Sequence, residues 1–450
     1  MSINNLFKSF QQESKKDADF DIIEIDDLRL SLPDLPRRKE LIDKYLHSER
    51  SDEAKSFWSH LTKRINNVIN YLKYNFITRN NYLIMNNLKY IRIFDKIYID
   101  DVIKSNESNL IFKDTIQFTY RSFFDPIVNK GVEYISDCGW GCMLRSAQSI
   151  LAKGIFMMKE VSAMSDYDRM NAINNTILLF LENKLDYEEI KAVEDFKKVI
   201  LNIDEGININ EVKTVVPPFS IHNICKFAEF FGKDAGEWFS DITMIKIFQA
   251  INCELDPMNI EILHFTEGVI YQKELIEYCF VEGDKEDHFT FDDKYYKFDK
   301  KGIIFISIRA GLEKVEKEYY TAINELFNIP FNLGIIGGRT NLAHYFIGKY
   351  KDKLIYLDPH LNQKSIQTYS ELISDNTSYL SKDLYQLDIK NMSAGFTVGF
   401  YFRNLVEYID LTSALNYYST LPNALFKFLN HPKPQREYNN VNLCDDFEII

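Results

Sequence analysis

The sequence lacks long apolar runs: no segment approaches the roughly 20 apolar residues that a membrane-spanning helix requires. Its first 20 residues are polar and contain no apolar stretch of signal-peptide length. We therefore expect a soluble, cytoplasmic protein. Such a protein can still act on a substrate that is held at a membrane surface.

Basic residues are few relative to acidic ones. The 450 residues include 53 Lys and Arg against 66 Asp and Glu, a formal net charge of −13. No basic cluster accompanies the aromatic residues. A surface for nucleic acid needs such a cluster because it must neutralise backbone phosphates. The composition therefore argues against a nucleic-acid partner.

Cysteine is sparse as well. Six cysteines in 450 residues are too few for a disulfide scaffold, and sparse cysteine is typical of a reducing compartment. Their spacing shows no matched pairs of zinc ligands. We expect neither a bound metal nor a cofactor. The six are Cys138, Cys142, Cys225, Cys253, Cys279 and Cys444.

The order of predicted elements indicates an α+β fold with a flexible segment at each end. Residues 1–48 form a predicted acidic tail, residues 49–430 a single domain and residues 431–450 a second tail. Two insertions are predicted in the domain, a helical one at about 160–210 and a charged, hairpin-like one at about 282–301. A helix is predicted from Ser51. Strands are predicted at residues 90–98, 118–120, 303–309, 343–350, 353–357 and 395–402.

The most informative stretch is residues 136–146, Ser-Asp-Cys-Gly-Trp-Gly-Cys-Met-Leu-Arg-Ser. Apolar residues at helical spacing follow, which predicts a helix that begins at Cys142 after a tight glycine loop. A thiol at this position lies at the positive end of the helix dipole, which favours the nucleophilic thiolate. A buried structural cysteine at a helix start fits the same pattern.

A nucleophilic thiol needs a base, and the base needs an acceptor that orients it. Asp358-Pro359-His360 follows a predicted strand, and residues two apart in an extended chain share a face. Asp358 can therefore orient His360, with Pro359 stiffening the link. A turn with an ordinary surface histidine fits as well. His344, within an apolar strand, is interpreted as a hydrogen-bonded core residue.

The chain resembles the autophagin family, cysteine peptidases that process the ubiquitin-like autophagy modifier. The resemblance runs from about Phe118 to about Tyr401 and depends on several blocks in the family's order. The blocks are residues 118–121 (Phe-Thr-Tyr-Arg), 139–145 (Gly-Trp-Gly-Cys-Met-Leu-Arg), 218–222 (Pro-Phe-Ser-Ile-His), 236–238 (Gly-Glu-Trp), 333–338 (Leu-Gly-Ile-Ile-Gly-Gly), 343–348 (Ala-His-Tyr-Phe-Ile-Gly) and 357–360 (Leu-Asp-Pro-His).

The resemblance implies a papain-like fold with Cys142 as the nucleophile. It also implies that His360 is the general base and acid and that Asp358 orients it. The tyrosine at the matching position, Tyr120, would donate its hydroxyl to the oxyanion beside the backbone N–H of Cys142. Without the resemblance, a core tyrosine would be the preferred interpretation of Tyr120.

The resemblance further implies a substrate channel. Trp238 matches the tryptophan that covers its entrance, and the loop Arg339, Thr340, Asn341 and Leu342 matches the loop that closes against it. The preceding Gly337 and Gly338 would act as hinges. Thr340 departs from the proline of many members, which leaves the degree of autoinhibition open. Cys138 is a second departure, a packed neighbour of the nucleophile or half of a redox bridge.

The implied reaction is hydrolysis after the modifier's C-terminal glycine, through a thioester, followed later by release of the modifier from phosphatidylethanolamine. The implied partners are the soluble precursor and the lipid conjugate, with transient contact to a membrane through the substrate. A peptidase for another ubiquitin-like protein and a non-catalytic scaffold that binds the modifier are the alternatives.

The two predicted tails contain similar sequence motifs, Asp-Phe-Asp-Ile-Ile at 19–23 and Asp-Phe-Glu-Ile-Ile at 446–450. Such a segment can add as a strand to a ubiquitin-like sheet while its aromatic and aliphatic side chains fill two pockets. We expect Phe20 with Ile23, and Phe447 with Ile450, to dock the modifier. Packing of the first motif onto the catalytic domain is the alternative.

Overall fold

The computed structural model describes residues 90–99, 115–160, 164–187, 214–255, 259–284, 289–339, 342–381 and 383–431. Several predictions concern residues outside these ranges and stay predictions. They are the helix from Ser51, the loop residues Thr340 and Asn341, and the tail residues Phe20, Ile23, Phe447 and Ile450. The predicted domain boundaries also stay predictions.

The described part of the chain mixes helices and strands. The helices are α1 (Cys142–Met157), α2 (Asp166–Leu178), α3 (Ile221–Ala228), α4 (Asp241–Leu255), α5 (Gln272–Cys279), α6 (Tyr320–Leu326), α7 (Tyr369–Ser374) and α8 (Leu405–Ser419). The strands are β1 (Tyr90–Ile93), β2 (Lys96–Ile99), β3 (Arg121–Asn129), β4 (Val132–Ser136), β5 (Leu185–Asp186), β6 (Thr214–Val215), β7 (Ile260–Phe265), β8 (Val269–Tyr271), β9 (Phe280–Glu282), β10 (Phe289–Phe291), β11 (Lys294–Phe298), β12 (Lys301–Lys314), β13 (Asn332–Arg339), β14 (Leu342–Tyr350), β15 (Lys353–Leu357), β16 (Gln363–Lys364), β17 (Tyr385–Asp388), β18 (Ser393–Phe402) and β19 (Lys427–Leu429).

The largest sheet has the order β17-β15-β14-β13-β18-β12-β7, with β1 and β2 added beside β14. Its strands pair antiparallel except β12 and β7, which run parallel. On β12, Ile303 and Phe305 enter one hydrophobic cluster and Ile304 and Ile306 enter another. The sheet is therefore buried on both faces, which explains the nearly continuous apolar sequence of this strand.

Helix α1 lies close against one face of the sheet. A Cβ atom added to Gly154 would lie 2.8 Å from Ile303 Cδ1, and one added to Gly399 would lie 3.0 Å from Ile150 Cδ1. Glycine at these two positions lets helix and sheet approach each other. The start of the helix then lies beside the start of β14, where Cys142 packs against Ala343.

The α+β class predicted from the sequence is confirmed, and so are the strands that include residues 303–309, 343–350, 353–357 and 395–402. The strand predicted at residues 118–120 is wrong, because β3 begins only at Arg121. The backbone N–H of Phe118 donates to Ser149 Oγ at 2.9 Å, and that of Tyr120 donates to Pro359 O at 2.8 Å. The acceptors of these two N–H groups are therefore a side chain of helix α1 and a carbonyl in the turn after β15, not the backbone of a neighbouring strand.

The two predicted insertions are partly described. A hairpin of β10 and β11, extended by β9, occupies the second of them. The first contains α2 and β5, and residues 188–213 lie outside the described ranges. Cys253 is disulfide-bonded, whereas Cys138, Cys142, Cys225 and Cys279 are free thiols. Within the described ranges, no helix is both long and apolar enough to cross a membrane.

Candidate active site

The loop before α1 is a tight turn built on Asp137. The backbone N–H of Gly141 donates to Asp137 O at 2.9 Å, and Gly139 has a φ of 91°, in the left-handed region that favours glycine. A Cβ atom on Gly141 would lie 2.3 Å from Asp137 Oδ2. The turn therefore requires its glycines, and it delivers Cys142 as the first residue of the helix.

The Cys142 thiol is buried, with 8% of the residue exposed. Burial raises its pKa, but the hydrogen bond and positive charge of His360 lower it, as do hydrogen bonds from the Ala343 backbone and the Tyr120 hydroxyl. The net pKa lies below the ordinary value for cysteine. The surroundings of this thiol therefore favour the thiolate.

His360 and Asp358 follow directly on β15 and are both buried. The imidazole Nδ1–H donates to Asp358 Oδ1 at 2.8 Å, and the His360 backbone N–H donates to the same oxygen at 3.1 Å. Burial lowers the pKa of His360, but Asp358 and then Cys142 outweigh burial and raise it to about 9. The lowered pKa of Cys142 and the raised pKa of His360 both favour a thiolate paired with an imidazolium.

Tyr120 is fixed on both sides by the chain around His360. Its backbone N–H donates to Pro359 O at 2.8 Å, and its carbonyl accepts from the Gln363 N–H at 2.9 Å. Its ring meets the His360 ring edge-on, with centroids 5.4 Å apart. Burial, together with the negative charge of Cys142, raises its pKa well above 10. The hydroxyl therefore keeps its proton and can donate it towards the sulfur.

Sequence reasoning missed a buried ionic network at the start of the helix that carries Cys142. Arg145 donates from Nε to Asp137 Oδ2 at 2.7 Å and from Nη1 to Glu182 Oε1 at 2.6 Å, and all three side chains are fully buried. Tyr379 donates its hydroxyl to Glu182 Oε2 at 2.9 Å. The available signal was an arginine about one turn after Cys142, on the part of the helix that the apolar spacing predicts to be buried.

Trp238 is hydrogen-bonded to the turn that precedes Cys142. Its indole N–H donates to the Gly139 carbonyl at 3.0 Å, while 44% of the residue stays exposed. A large aromatic side chain at the surface, held by one hydrogen bond, can shift without disturbing the core. Its location beside the turn that delivers Cys142 is compatible with the predicted entrance cover.

The predicted closing loop begins with the last residue of β13, Arg339, and ends with the first residue of β14, Leu342, and these two residues pair. Gly337 and Gly338 lie within β13. A Cβ atom on Gly338 would lie 1.9 Å from Leu342 O, and one on Gly337 would lie 2.8 Å from the Cβ of Phe396. Close packing therefore requires glycine at both positions, and their hinge role stays a prediction.

His344 is a core residue, as predicted, but its predicted hydrogen bond is absent from the described part of the chain. The residue is fully buried on β14, and neither ring nitrogen has a hydrogen-bond partner there. The imidazole packs on the ring of Tyr356, with centroids 4.2 Å apart, and lies 5.7 Å from the ring of His360. The described surroundings of the His344 side chain are therefore aromatic rings and not hydrogen-bond partners.

Cys138 differs from Cys142 although it is only four residues away. It is half-buried, and burial followed by the negative charge of Asp137 raises its pKa to about 11. Its thiol is therefore protonated at neutral pH. The pKa values of the two thiols are thus shifted in opposite directions, and of the two only Cys142 forms a hydrogen bond with His360.

The fold is that of the papain-like cysteine peptidases. The family model described as the Peptidase C54 catalytic domain matches residues 105–414, which is more than half of the chain. The chain belongs to this family, the autophagins. The matched range contains Tyr120, Cys142, Asp358 and His360.

Curated relatives include "Cysteine protease atg4" of Emericella nidulans, 25% identical over 67% of this chain and 70% of the relative. "Cysteine protease ATG4C" of Homo sapiens is 26% identical over 74% of this chain and 77% of the relative. "Cysteine protease ATG4" of Cryptococcus neoformans var. neoformans is 28% identical over 51% of this chain. The chain spans only 20% of the length of that last relative.

Proposed function

We propose that this protein cleaves after the C-terminal glycine of a ubiquitin-like autophagy modifier. It trims the soluble precursor and later releases the modifier from phosphatidylethanolamine. The observation that carries the proposal is the 2.8 Å hydrogen bond between His360 and Asp358 beside a buried thiol whose pKa is lowered. Membership of the autophagin family supplies the choice of substrate.

Cys142, His360 and Asp358 form the proposed catalytic triad. The Cys142 thiolate attacks the carbonyl carbon of the glycine, and a C–S bond forms. His360, already protonated, gives its proton to the leaving amine as the C–N bond breaks. Asp358 holds the imidazole in the orientation and tautomer that this transfer needs.

The negative oxygen of the tetrahedral intermediate needs hydrogen-bond donors. The proposed donors are the Tyr120 hydroxyl and the backbone N–H of Cys142, which is unpaired within its helix because it lies in the first turn. The pKa of Tyr120, raised by burial and by Cys142, supports this role because the hydroxyl stays protonated.

The thioester is then hydrolysed. His360 takes a proton from water, the hydroxide attacks the thioester carbon, and the C–S bond breaks to restore the thiolate. The products are the modifier with a free glycine carboxylate and either a peptide amine or, from the lipid conjugate, the amine of phosphatidylethanolamine. The same two steps thus serve both substrates.

Trp238 and the loop at residues 339–342 are the proposed entrance to the channel. A narrow channel favours glycine because the absence of a side chain lets the backbone approach the thiol. The hydrogen bond from Trp238 to the carbonyl of Gly139 supports this role, because it holds the indole beside the turn before Cys142. The loop residues Arg339, Thr340, Asn341 and Leu342 would move with the entering tail.

The tail motifs are proposed to dock the folded part of the modifier, through Phe20 with Ile23 and Phe447 with Ile450. Deletion of residues 446–450 should weaken modifier binding and leave turnover of a small peptide substrate unchanged. Unchanged binding of the modifier would refute this docking role without affecting the proposed triad.

A direct test offers the purified protein three substrates: an autophagy modifier precursor extended beyond glycine, its conjugate on phosphatidylethanolamine vesicles, and a precursor of another ubiquitin-like protein. We expect cleavage of the first two only, with Cys142→Ala inactive on all. Cleavage of the third alone would show a peptidase for another modifier. Binding without cleavage would show a scaffold.

A further inference from the structure

Three buried side chains next to the proposed nucleophile form a cluster of metal-ligand type. His344, Asp358 and His360 each offer one ligand atom, and these atoms lie within 4.8 Å of one another. They come from β14 and from the turn after β15, neighbouring strands that pair antiparallel. The proposed mechanism uses two of them and leaves His344 without a role.

Hydrogen bonding within the described ranges does not satisfy this cluster. His344 is fully buried with both ring nitrogens unpartnered, and Asp358, only 5% exposed, leaves Oδ2 unpartnered. A buried polar group without a hydrogen-bond partner destabilises the folded state. A bound cation would give a partner to Asp358 Oδ2 and to one ring nitrogen of His344.

Two imidazoles with one carboxylate form a donor set that suits Zn²⁺, whereas Mg²⁺ and Ca²⁺ prefer oxygen ligands. Tetrahedral ligands about 2 Å from zinc lie about 3.4 Å apart. The present span of 4.8 Å must therefore close by roughly 1.4 Å, which side-chain rotation can supply.

We propose that His344, Asp358 and His360 form a zinc site whose occupation inhibits the enzyme. Zinc would take both the carboxylate that orients His360 and the imidazole itself. An imidazole nitrogen bound to zinc can neither accept nor donate a proton, so Cys142 would be left without its base. The inhibitory consequence rests on the proposed function, but the binding of zinc does not.

The positive charge of Arg339 should weaken the binding of zinc to this cluster. Its guanidinium lies close enough to His344 for its positive charge to act on the imidazole, and its Nε and Nη2 atoms are buried without a hydrogen-bond partner. A positive charge beside the cluster disfavours a cation. Arg339→Gln should therefore bind Zn²⁺ more tightly than the parent protein.

The binding test uses full-length protein with Cys142→Ser, which removes the thiol as a zinc ligand and abolishes catalysis. Zn²⁺ is titrated in competition with a chromophoric chelator, and Mg²⁺ serves as the hard-cation control. The matched control variant is His264→Gln. His264 lies on β7, at the opposite end of the sheet path, and bonds Ser307 Oγ at 2.8 Å.

We expect a zinc affinity that falls at least tenfold on addition of His344→Gln, is retained with His264→Gln and rises with Arg339→Gln. An affinity with His344→Gln within twofold of the parent would overturn the proposal. If His344→Gln fails to fold in a thermal melt with chelator present, Asp358→Asn replaces it, with the same tenfold criterion.

The inhibition test uses protein with Cys142 intact and follows hydrolysis with and without Zn²⁺. We expect reversible inhibition that a chelator relieves and that weakens in His344→Gln. Equal inhibition of both proteins would assign the zinc to Cys142 and His360 alone and overturn the proposed site. Because the binding test needs no turnover, it separates failure of this site from failure of the peptidase.

Discussion

Arg145 Nε donates a 2.7 Å hydrogen bond to Asp137 Oδ2. This bond ties the helix that begins with Cys142 to the turn that precedes it. The other oxygen of Asp137 accepts the backbone N–H of Arg121 at 2.7 Å, one residue after Tyr120. The helix of Cys142, the proposed nucleophile, and the chain next to Tyr120, the proposed oxyanion donor, are thus joined through one buried carboxylate.

Replacing Arg145 by Met should therefore disturb both stability and chemistry. Removal of one partner from a buried ion pair typically costs about 3–5 kcal/mol, because the acids are left buried and uncompensated. We expect a loss of unfolding free energy of this size in denaturant titration. The control is Lys130→Met, which breaks an exposed ion pair with Asp234 and should leave the unfolding free energy nearly unchanged. Equal losses in both variants would contradict a structural role for the network.

The two thiols of the motif should react differently. With a pKa of about 11, Cys138 has only about 10⁻⁴ of its thiol ionised at pH 7, whereas the pKa of Cys142 is lowered. Iodoacetamide at pH 7 should therefore alkylate Cys142 first, as read by peptide mass spectrometry. The variant Cys138→Ser should react at the same rate, and His360→Ala should react much more slowly. Faster labelling of Cys138 would refute the assignment of the nucleophile.

The hydrolysis rate should fall as pH rises through about 9, because the proton that His360 gives to the leaving amine is lost there. In Asp358→Asn the main cause of the raised pKa disappears and burial lowers the pKa of His360. The upper limb of the kcat/KM profile should then move to lower pH, and kcat should fall by about 10²–10⁴. An unshifted limb would exclude His360 as the titrating group.

Tyr120→Phe tests the proposed oxyanion donor with the ring retained. Loss of one such donor typically lowers kcat by about 10²–10³. We expect that fall with KM little changed, since the hydroxyl acts mainly in the transition state. A thermal melt serves as the control for an intact fold, and an unchanged kcat would assign Tyr120 to the core.

Local sequence patterns predicted the helix and the strand that position the proposed catalytic residues, but they did not predict all contacts between these elements. The helix at Cys142 follows from glycine loop and periodicity, and the proximity of Asp358 to His360 follows from their two-residue spacing. The contact of Ala343 with the thiol depends on how a helix lies on a distant hairpin, which periodicity does not encode.

The ionic network of Arg145 was not predicted, because it too depends on contacts between distant parts of the chain. Its two acidic partners, Asp137 and Glu182, lie eight residues before and 37 residues after Arg145. The strand predicted at 118–120 failed because its donors find a helix side chain and a turn. His344 was predicted to be hydrogen-bonded from its apolar strand alone. The unpartnered state of its nitrogens emerged only from the packing of rings around it.

The most direct test of the account is covalent trapping. An autophagy modifier in which an electrophile replaces the C-terminal glycine is incubated with the protein, and the adduct is located by tandem mass spectrometry. The account predicts one adduct, on the sulfur of Cys142, which is lost in Cys142→Ala and retained in Cys138→Ser. An adduct on any other residue, or none with an intact modifier, would contradict it.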